Sequence, residues 1–200
     1  MNNHRDRAGA ALPPGDEFRS ADEALSTAAL ADGRSIAAAS AGAGVLLVFL
    51  RHSGCTFCKE ALADIAARRA RIEASGVRIV LVHMTPAHQA GDWLESSGLG
   101  GVDHLSDPDR RLYRAMGLGR GSLRQLFGLR CFVRGVAATL RGHIVGRLVG
   151  DGFQMPGAFL IRDGVVTSAY RHASAADRPD YVAIACAAHA SGPRRDGDAR

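Results

Sequence analysis

Lysine is almost absent from this chain: of 25 basic side chains, only Lys59 is not an arginine. The formal net charge of +5 is not gathered into a stripe either. Charges alternate in sign, as in Asp107-Pro108-Asp109-Arg110-Arg111, whereas a nucleic-acid surface clusters basic residues and interleaves aromatics. Nucleic acid is therefore not an expected partner. Aromatic residues make up only 6% of the chain, so leucine, valine, isoleucine and alanine must fill the core. Long apolar runs are missing too. The run Val45–Leu50, like every other here, falls far short of the roughly 20 residues that cross a bilayer, so no membrane partner is expected. The opening Met1-Asn2-Asn3-His4-Arg5-Asp6-Arg7 leads into no continuous apolar segment; the expectation is no secretory signal and a cytoplasmic location. Cysteine is scarce, with Cys55, Cys58, Cys131 and Cys186 alone. That excludes a disulfide scaffold, while one close pair and two scattered singles fit a dedicated dithiol in a reducing compartment.

What is present describes one domain. Residues 1–20 mix charge with Pro13-Pro14-Gly15 and read as a flexible arm, residues 21–190 as a single domain, and residues 191–200 as a disordered tail. Ala21–Ala39 reads as one helix or two short ones. Val45–Leu50 is an unbroken apolar run and Val77–His83 a largely apolar one, as expected of strands buried on both faces. Between them Cys58, Leu62, Ile65 and Ile72 recur at helical spacing over about 55–74, and Ser75-Gly76 ends the pattern. Strand, helix and strand together imply a parallel pair. A helix over about 88–97 and a short strand over 102–105 should follow. Asp107-Pro108 reads as a helix start, with Asp as N-cap and Pro at the first helical position, and Gly117 as its stop. Short helices and loops are expected over 119–152. Two β-rich runs around Asp163-Gly164 predict a hairpin, and a closing helix is expected over 180–189. A parallel unit, then helices, a hairpin and a last helix make an α/β chain with a mixed central sheet flanked by helices, the layout of a thioredoxin-like fold.

The chemistry is expected at Cys55-Thr56-Phe57-Cys58. A thiolate is the nucleophile in redox work, so a reactive cysteine needs a lowered pKa. A strand-to-helix turn supplies free N–H groups and the helix dipole, and Arg51, His52 and Lys59 add positive or protonatable neighbours. Cys55, nearer the turn and so more exposed, should attack a peroxide or disulfide; Cys58, one turn inward, should resolve the product. Arg51 could stabilise the thiolate, His52 could donate a proton to a leaving thiol, and Thr56 and Phe57 tune potential and access. An external thiol would reset the pair. No cofactor is called for. Two other readings stand beside this one: a non-catalytic redox sensor or binding module, and a zinc site with His52, His83 or Cys131 completing the ligands, although no second Cys-x-x-Cys is present.

The run Val48-Phe49-Leu50-Arg51-His52-Ser53-Gly54-Cys55-Thr56-Phe57-Cys58-Lys59-Glu60 resembles the opening strand and active-site turn of the peroxiredoxin-like AhpC/TSA proteins, nearest their SelL-related branch. Asp107-Pro108 through Leu118, Gly150 through Gly157, Arg171-His172 and Asp177–Tyr181 continue the likeness, which covers roughly 46–187. Two departures are His52, where typical peroxiredoxins carry threonine, and Thr56-Phe57 in place of the thioredoxin Gly-Pro. The resemblance implies a thioredoxin-like fold with a helical or loop insertion before the strand that follows Pro156. It also implies thiol-dependent oxidoreductase or antioxidant activity with thioredoxin or glutathione as reductant, and a cis peptide at Pro156 facing the dithiol.

Overall fold

The computed structural model of the chain describes residues 9–51, 53, 55–122, 150–174 and 176–187. Its elements are β1 (Ala10–Ala11), α1 (Ala21–Thr27), α2 (Ile36–Ala39), β2 (Gly44–Phe49), α3 (Thr56–Ala74), β3 (Val77–His83), α4 (Ala87–Ser96), β4 (Asp103–Ser106), α5 (Arg111–Ala115), β5 (Gly157–Arg162), β6 (Val165–Arg171) and, closing the series, α6 (Tyr181–Ala185). The strands form one six-stranded sheet in the order β1-β4-β3-β2-β5-β6. The first four run parallel, and β5 and β6 run antiparallel.

The two apolar runs are the central strands because only a central strand buries both faces. Along β2, Val45, Leu47 and Phe49 pack with α1, α2 and α5 on one side of the sheet. Leu46 and Val48, with Leu50 just beyond, pack with α3, α4 and α6 on the other. The period of two in a strand makes this division. α3 puts Leu62, Ile65 and Ile72, all without solvent exposure, against the second face. Burying each contributes about 1.5–3 kcal/mol. Tyr113 of α5 is fully buried, edge-on to Phe49 with ring centroids 4.9 Å apart. Its hydroxyl donates to the Leu50 carbonyl, with the Val82 carbonyl 3.1 Å away, and so fixes the end of β2 from which the site hangs.

The hairpin forms as predicted. Asp163 and Gly164 have φ of 48° and 78°, the left-handed pair that a two-residue turn between twisted strands requires. Elsewhere the structure corrects expectation. The described part of the arm is held: β1 pairs with β4, the Leu12 N–H donates to the Ser106 carbonyl (2.8 Å), and Glu17 pairs with Arg114. Asp107 does not sit at the N-cap of α5, nor Pro108 at its first position. Asp107-Pro108-Asp109-Arg110 is a turn closed by the Arg110 N–H on the Asp107 carbonyl (3.1 Å); proline suits the second position of such a turn. The Asp107 carboxylate instead reaches forward to the N–H groups of Arg111 (3.0 Å) and Leu112 (2.8 Å), capping α5 from outside it. α5 ends as expected at Gly117, with the Leu118 N–H on the Tyr113 carbonyl (2.8 Å) and the Gly117 N–H on Arg114 (2.9 Å), a Schellman closure. α6 is shorter than expected and leaves Cys186 exposed at its C-cap rather than in the core. Arg120 bridges Gln154 in antiparallel fashion. Cys131, the middle of the 119–152 stretch, His189 and the tail lie outside the described residues.

Candidate active site

β2 runs out at Phe49, and Leu50 and Arg51 carry the chain to Cys55, the N-cap of α3. His52 and Gly54 are not among the described residues. The Cys55 carbonyl accepts the first helical hydrogen bond, from the Lys59 N–H (3.0 Å). Cys58, one turn on, sits in the apolar layer with Val48, Leu50 and Leu62. Neither cysteine is in a disulfide. Their exposures, 6% and 4%, are too close to separate the roles, contrary to the expectation of a more exposed Cys55. Charge separates them instead.

Arg51 touches both sulfurs. Its backbone N–H donates to Cys58 Sγ (3.3 Å), and its Nη1 donates to Cys55 Sγ (3.6 Å). Arg51 is itself only 6% exposed, and Nη2 is anchored on the Gly152 carbonyl. A buried guanidinium beside a thiol favours the thiolate. The largest influence on Cys55 is the Cys58 thiol, which donates a hydrogen bond to it. Burial opposes ionisation, and the Arg51 charge and the Cys58 and Phe57 N–H groups favour it; the net effect lowers Cys55 to about 6. Those N–H groups act without a full capping bond to the sulfur, as expected of helix-terminal dipoles. Lys59, expected to help, is not among these influences.

Thr56 is buried at the first position of α3, its hydroxyl without a hydrogen-bond partner. Pro156 does line the site, but the cis bond implied by the family likeness is not there: no peptide among the described residues is cis. Met155 donates to Gly119 (3.1 Å) and the Pro156 carbonyl accepts from the His172 N–H (3.3 Å). The segment thus runs extended into β5, and the ordinary trans preference of X–Pro, about 0.5–1 kcal/mol, meets no reversal of the chain. Arg171 faces elsewhere, donating to the Met116 carbonyl (3.1 Å) and lying over Phe159.

A cleft of about 310 Å³, its mouth included, opens beside the dithiol and is lined by Arg51, Phe57, Cys58, Pro156, His172 and Tyr181, among others. Sequence reasoning missed His172 as a member of this site. It sits just past β6, and only the β5–β6 pairing, Gly157 opposite Arg171, brings it level with Pro156. The ring lies edge-on to Tyr170 (5.3 Å), and Nδ1 is buried without a partner. Burial, outweighing the pull of Asp177 and of the Ser174 backbone, lowers it to about 4, so the imidazole is neutral near pH 7. Asp177 is committed to its own turn, accepting from the N–H groups of Ala173 (2.7 Å) and Ser174 (3.0 Å) and from the Ser174 hydroxyl (2.7 Å).

His83, weighed above as a zinc ligand, lies elsewhere. Its Nε2 is 2.9 Å from His104 Nδ1, and its Nδ1 is 2.9 Å from the Thr85 carbonyl. Among the described residues no group of three or more His, Cys, Asp or Glu is gathered for a metal, and no helix is long and apolar enough to cross a membrane.

Comparison with known proteins bears on this geometry. A family model described as AhpC/TSA antioxidant enzyme matches residues 64–175, a span that takes in Pro156, His172 and most of α3 and begins just after the dithiol. The chloroplastic thioredoxin-like protein AAED1 of Arabidopsis thaliana is 31% identical over 71 residues, 36% of this chain and 28% of that protein. The match thus spans little more than a quarter of the relative's length. Among solved structures, peroxiredoxin Q of Xanthomonas campestris superposes with a TM-score of 0.50 at 18% identity, over 72% of this chain and 77% of that one. Reduced Prx3 of Vibrio vulnificus in complex with hydrogen peroxide gives 0.52 at 18% identity, over 80% and 88%. At these identities the likeness concerns the fold: a thioredoxin-like sheet with helices on both faces.

Proposed function

This chain belongs to the AhpC/TSA antioxidant enzyme family, and on that premise we propose that it is a thiol-dependent oxidoreductase in which Cys55 attacks and Cys58 resolves. The observation that carries the reading is Arg51, whose side chain bonds the Cys55 sulfur while its backbone bonds Cys58. A thiol lowered to about 6 is mostly thiolate at pH 7, the form that reacts. With a peroxide, Cys55 thiolate takes the terminal oxygen as the O–O bond breaks, giving a sulfenic acid and an alkoxide that leaves as alcohol. Cys58 then forms the S–S bond with Cys55 as water departs. With a disulfide, Cys55 displaces one thiolate and Cys58 displaces the other half. An external thiol, thioredoxin or glutathione in class, returns the pair to the dithiol in a reducing compartment such as the cytoplasm. The Vibrio protein of the same fold is seen with hydrogen peroxide, which makes hydrogen peroxide the first oxidant to try.

The test is intact-mass analysis of wild type, Cys55→Ser and Cys58→Ser after stoichiometric hydrogen peroxide, an alkyl peroxide or a protein disulfide. Wild type should lose two hydrogens, Cys58→Ser should stop at a sulfenic acid or mixed disulfide on Cys55, and Cys55→Ser should not change at the pair. A Cys55→Ser variant oxidised as fast as wild type would refute the assignment.

A further inference from the structure

In the reduced protein the Cys58 thiol donates to the Cys55 thiolate. Once Cys55 carries an oxygen or a mixed disulfide, that acceptor is consumed, and Cys58 must lose its proton to something else before it can attack. Cys58 lines the cleft, and so do side chains able to take its proton there. Among the described residues, four polar or ionisable side chains line the cleft besides Cys58: Arg51, His172, Asp177 and Tyr181. Arg51 is a cation and accepts nothing. Tyr181 is a phenol whose pKa burial raises further, so it keeps its own proton. Asp177 is held by the three hydrogen bonds of its turn. His172 has a buried ring nitrogen with no hydrogen-bond partner, and a neutral imidazole always carries one lone pair able to take a proton.

We infer that His172 is the proton acceptor for Cys58 in the step that closes the Cys55–Cys58 disulfide, an inference that rests on the dithiol reading above. In that step the Cys58 S–H proton passes to the imidazole and the Cys58 sulfur bonds Cys55. The Cys55–oxygen bond breaks, and the departing hydroxide takes the proton back from the imidazolium as water. When Cys55 is held in a mixed disulfide the leaving group is a thiolate instead, and the imidazolium proton goes to it or to solvent. The reverse direction uses the same ring: on reduction the imidazolium supplies the proton to the Cys58 thiolate. Groups facing the ring set its readiness. Burial keeps the ring unprotonated to about pH 4, Asp177 and a hydrogen bond to the Ser174 backbone favour a charge on it, and the Arg51 charge disfavours a permanent one. The imidazolium therefore exists only while a negative sulfur or oxygen is beside it. Arg178, next to Asp177 in the chain, is engaged by Asp64 and Glu60.

The closing step can be timed without peroxide. In a Cys131→Ser, Cys186→Ser background, an excess of the aromatic disulfide 5,5′-dithiobis(2-nitrobenzoate) labels Cys55 in a first burst of the yellow thiolate. Attack by Cys58 releases a second equivalent, and the first burst is the internal reference. The wild-type second phase should be flat from about pH 5 to pH 8. In His172→Gln it should be about 100-fold slower at pH 6, within the range for general-base catalysis, and should climb tenfold per pH unit. Added imidazole should speed the second phase of His172→Ala. A His172→Gln second phase equal to wild type in rate and pH profile overturns the inference. So does a wild-type second phase that climbs tenfold per unit between pH 5 and pH 7, which needs no variant at all. If wild type shows the first burst and no second, the dithiol reading falls and takes this inference with it.

Discussion

Replacing Arg51 by methionine keeps roughly the length and shape of the side chain and removes its charge. At 3.6 Å and an effective dielectric of about 20, the guanidinium–thiolate attraction is about 4–5 kcal/mol before desolvation is counted. Net values for hydrogen bonds to charged groups are smaller, about 1.5–3 kcal/mol. At about 1.4 kcal/mol per pKa unit, the smaller range moves the thiol by about 1–2 units. Cys55 should therefore rise from about 6 to roughly 7–8 in Arg51→Met. The thiolate share at pH 7 falls from roughly nine-tenths to between about one-half and one-tenth. Thiolate absorbance at 240 nm, followed through a pH titration of the Cys131→Ser, Cys186→Ser protein, reads the midpoint directly. The rate of alkylation at pH 7 should drop about two- to tenfold with it. Arg51→Lys, which keeps a charge and loses the planar fork, should fall between the two. A midpoint in Arg51→Met within a few tenths of a unit of wild type would show that the guanidinium does not hold the thiolate and that the helix start and Cys58 suffice.

Two further outcomes follow from the β1–β4–β3 half of the sheet. His83 is unexposed and burial holds it down to about 3, so the unfolded chain takes up the proton first as pH falls. Stability from this group is complete above its ordinary value near 6.5 and is lost below it, by about 2 kcal/mol at pH 5. Urea unfolding at pH 8 and pH 5 should show that loss, with His83→Gln reducing the difference; an equal difference in both proteins would contradict the assignment. At Gly9 an added Cβ would lie 1.7 Å from His104 Cε1. Gly9→Ala should therefore detach β1, lowering stability by about 1–3 kcal/mol and speeding proteolysis between residues 9 and 20; protection equal to wild type would count against that packing.

The parts of this fold that were legible in the sequence are those dictated locally. Val45–Leu50 and Val77–His83 could only be strands buried on both faces, Gly76 and Gly117 stop helices through their own backbone freedom, and Asp163-Gly164 is a turn wherever it stands. The dithiol was legible for the same reason, since strand, turn and helix are contiguous around it. What was missed depends on distant chain. Ala10–Ala11 carries no periodicity, and only β4 makes it a strand. Asp107 has the chemistry of a cap, but the turn at Pro108 sets it outside the helix it caps. The Pro156 geometry came from family likeness, and the pairing of its neighbours with Gly119 and His172 decides otherwise. The partnership of His83 with His104, and the arrival of His172 in the cleft that Cys58 lines, exist only once the strands are in register.

The bridge between Arg120 and Gln154 has a consequence for engineering. The Gly121 N–H donates to Phe153 (2.7 Å), the Met155 N–H to Gly119 (3.1 Å), and Arg120 pairs with Asp151 (3.0 Å). Gly119–Gly121 and Asp151–Met155 are thus zipped to each other. Closing a loop costs free energy only as the logarithm of its length, about 0.6 kcal/mol per doubling. Because that cost is logarithmic, a peptide spliced between these zipped flanks adds little closure free energy. The edit must spare Gly152, whose carbonyl holds Arg51 against the dithiol.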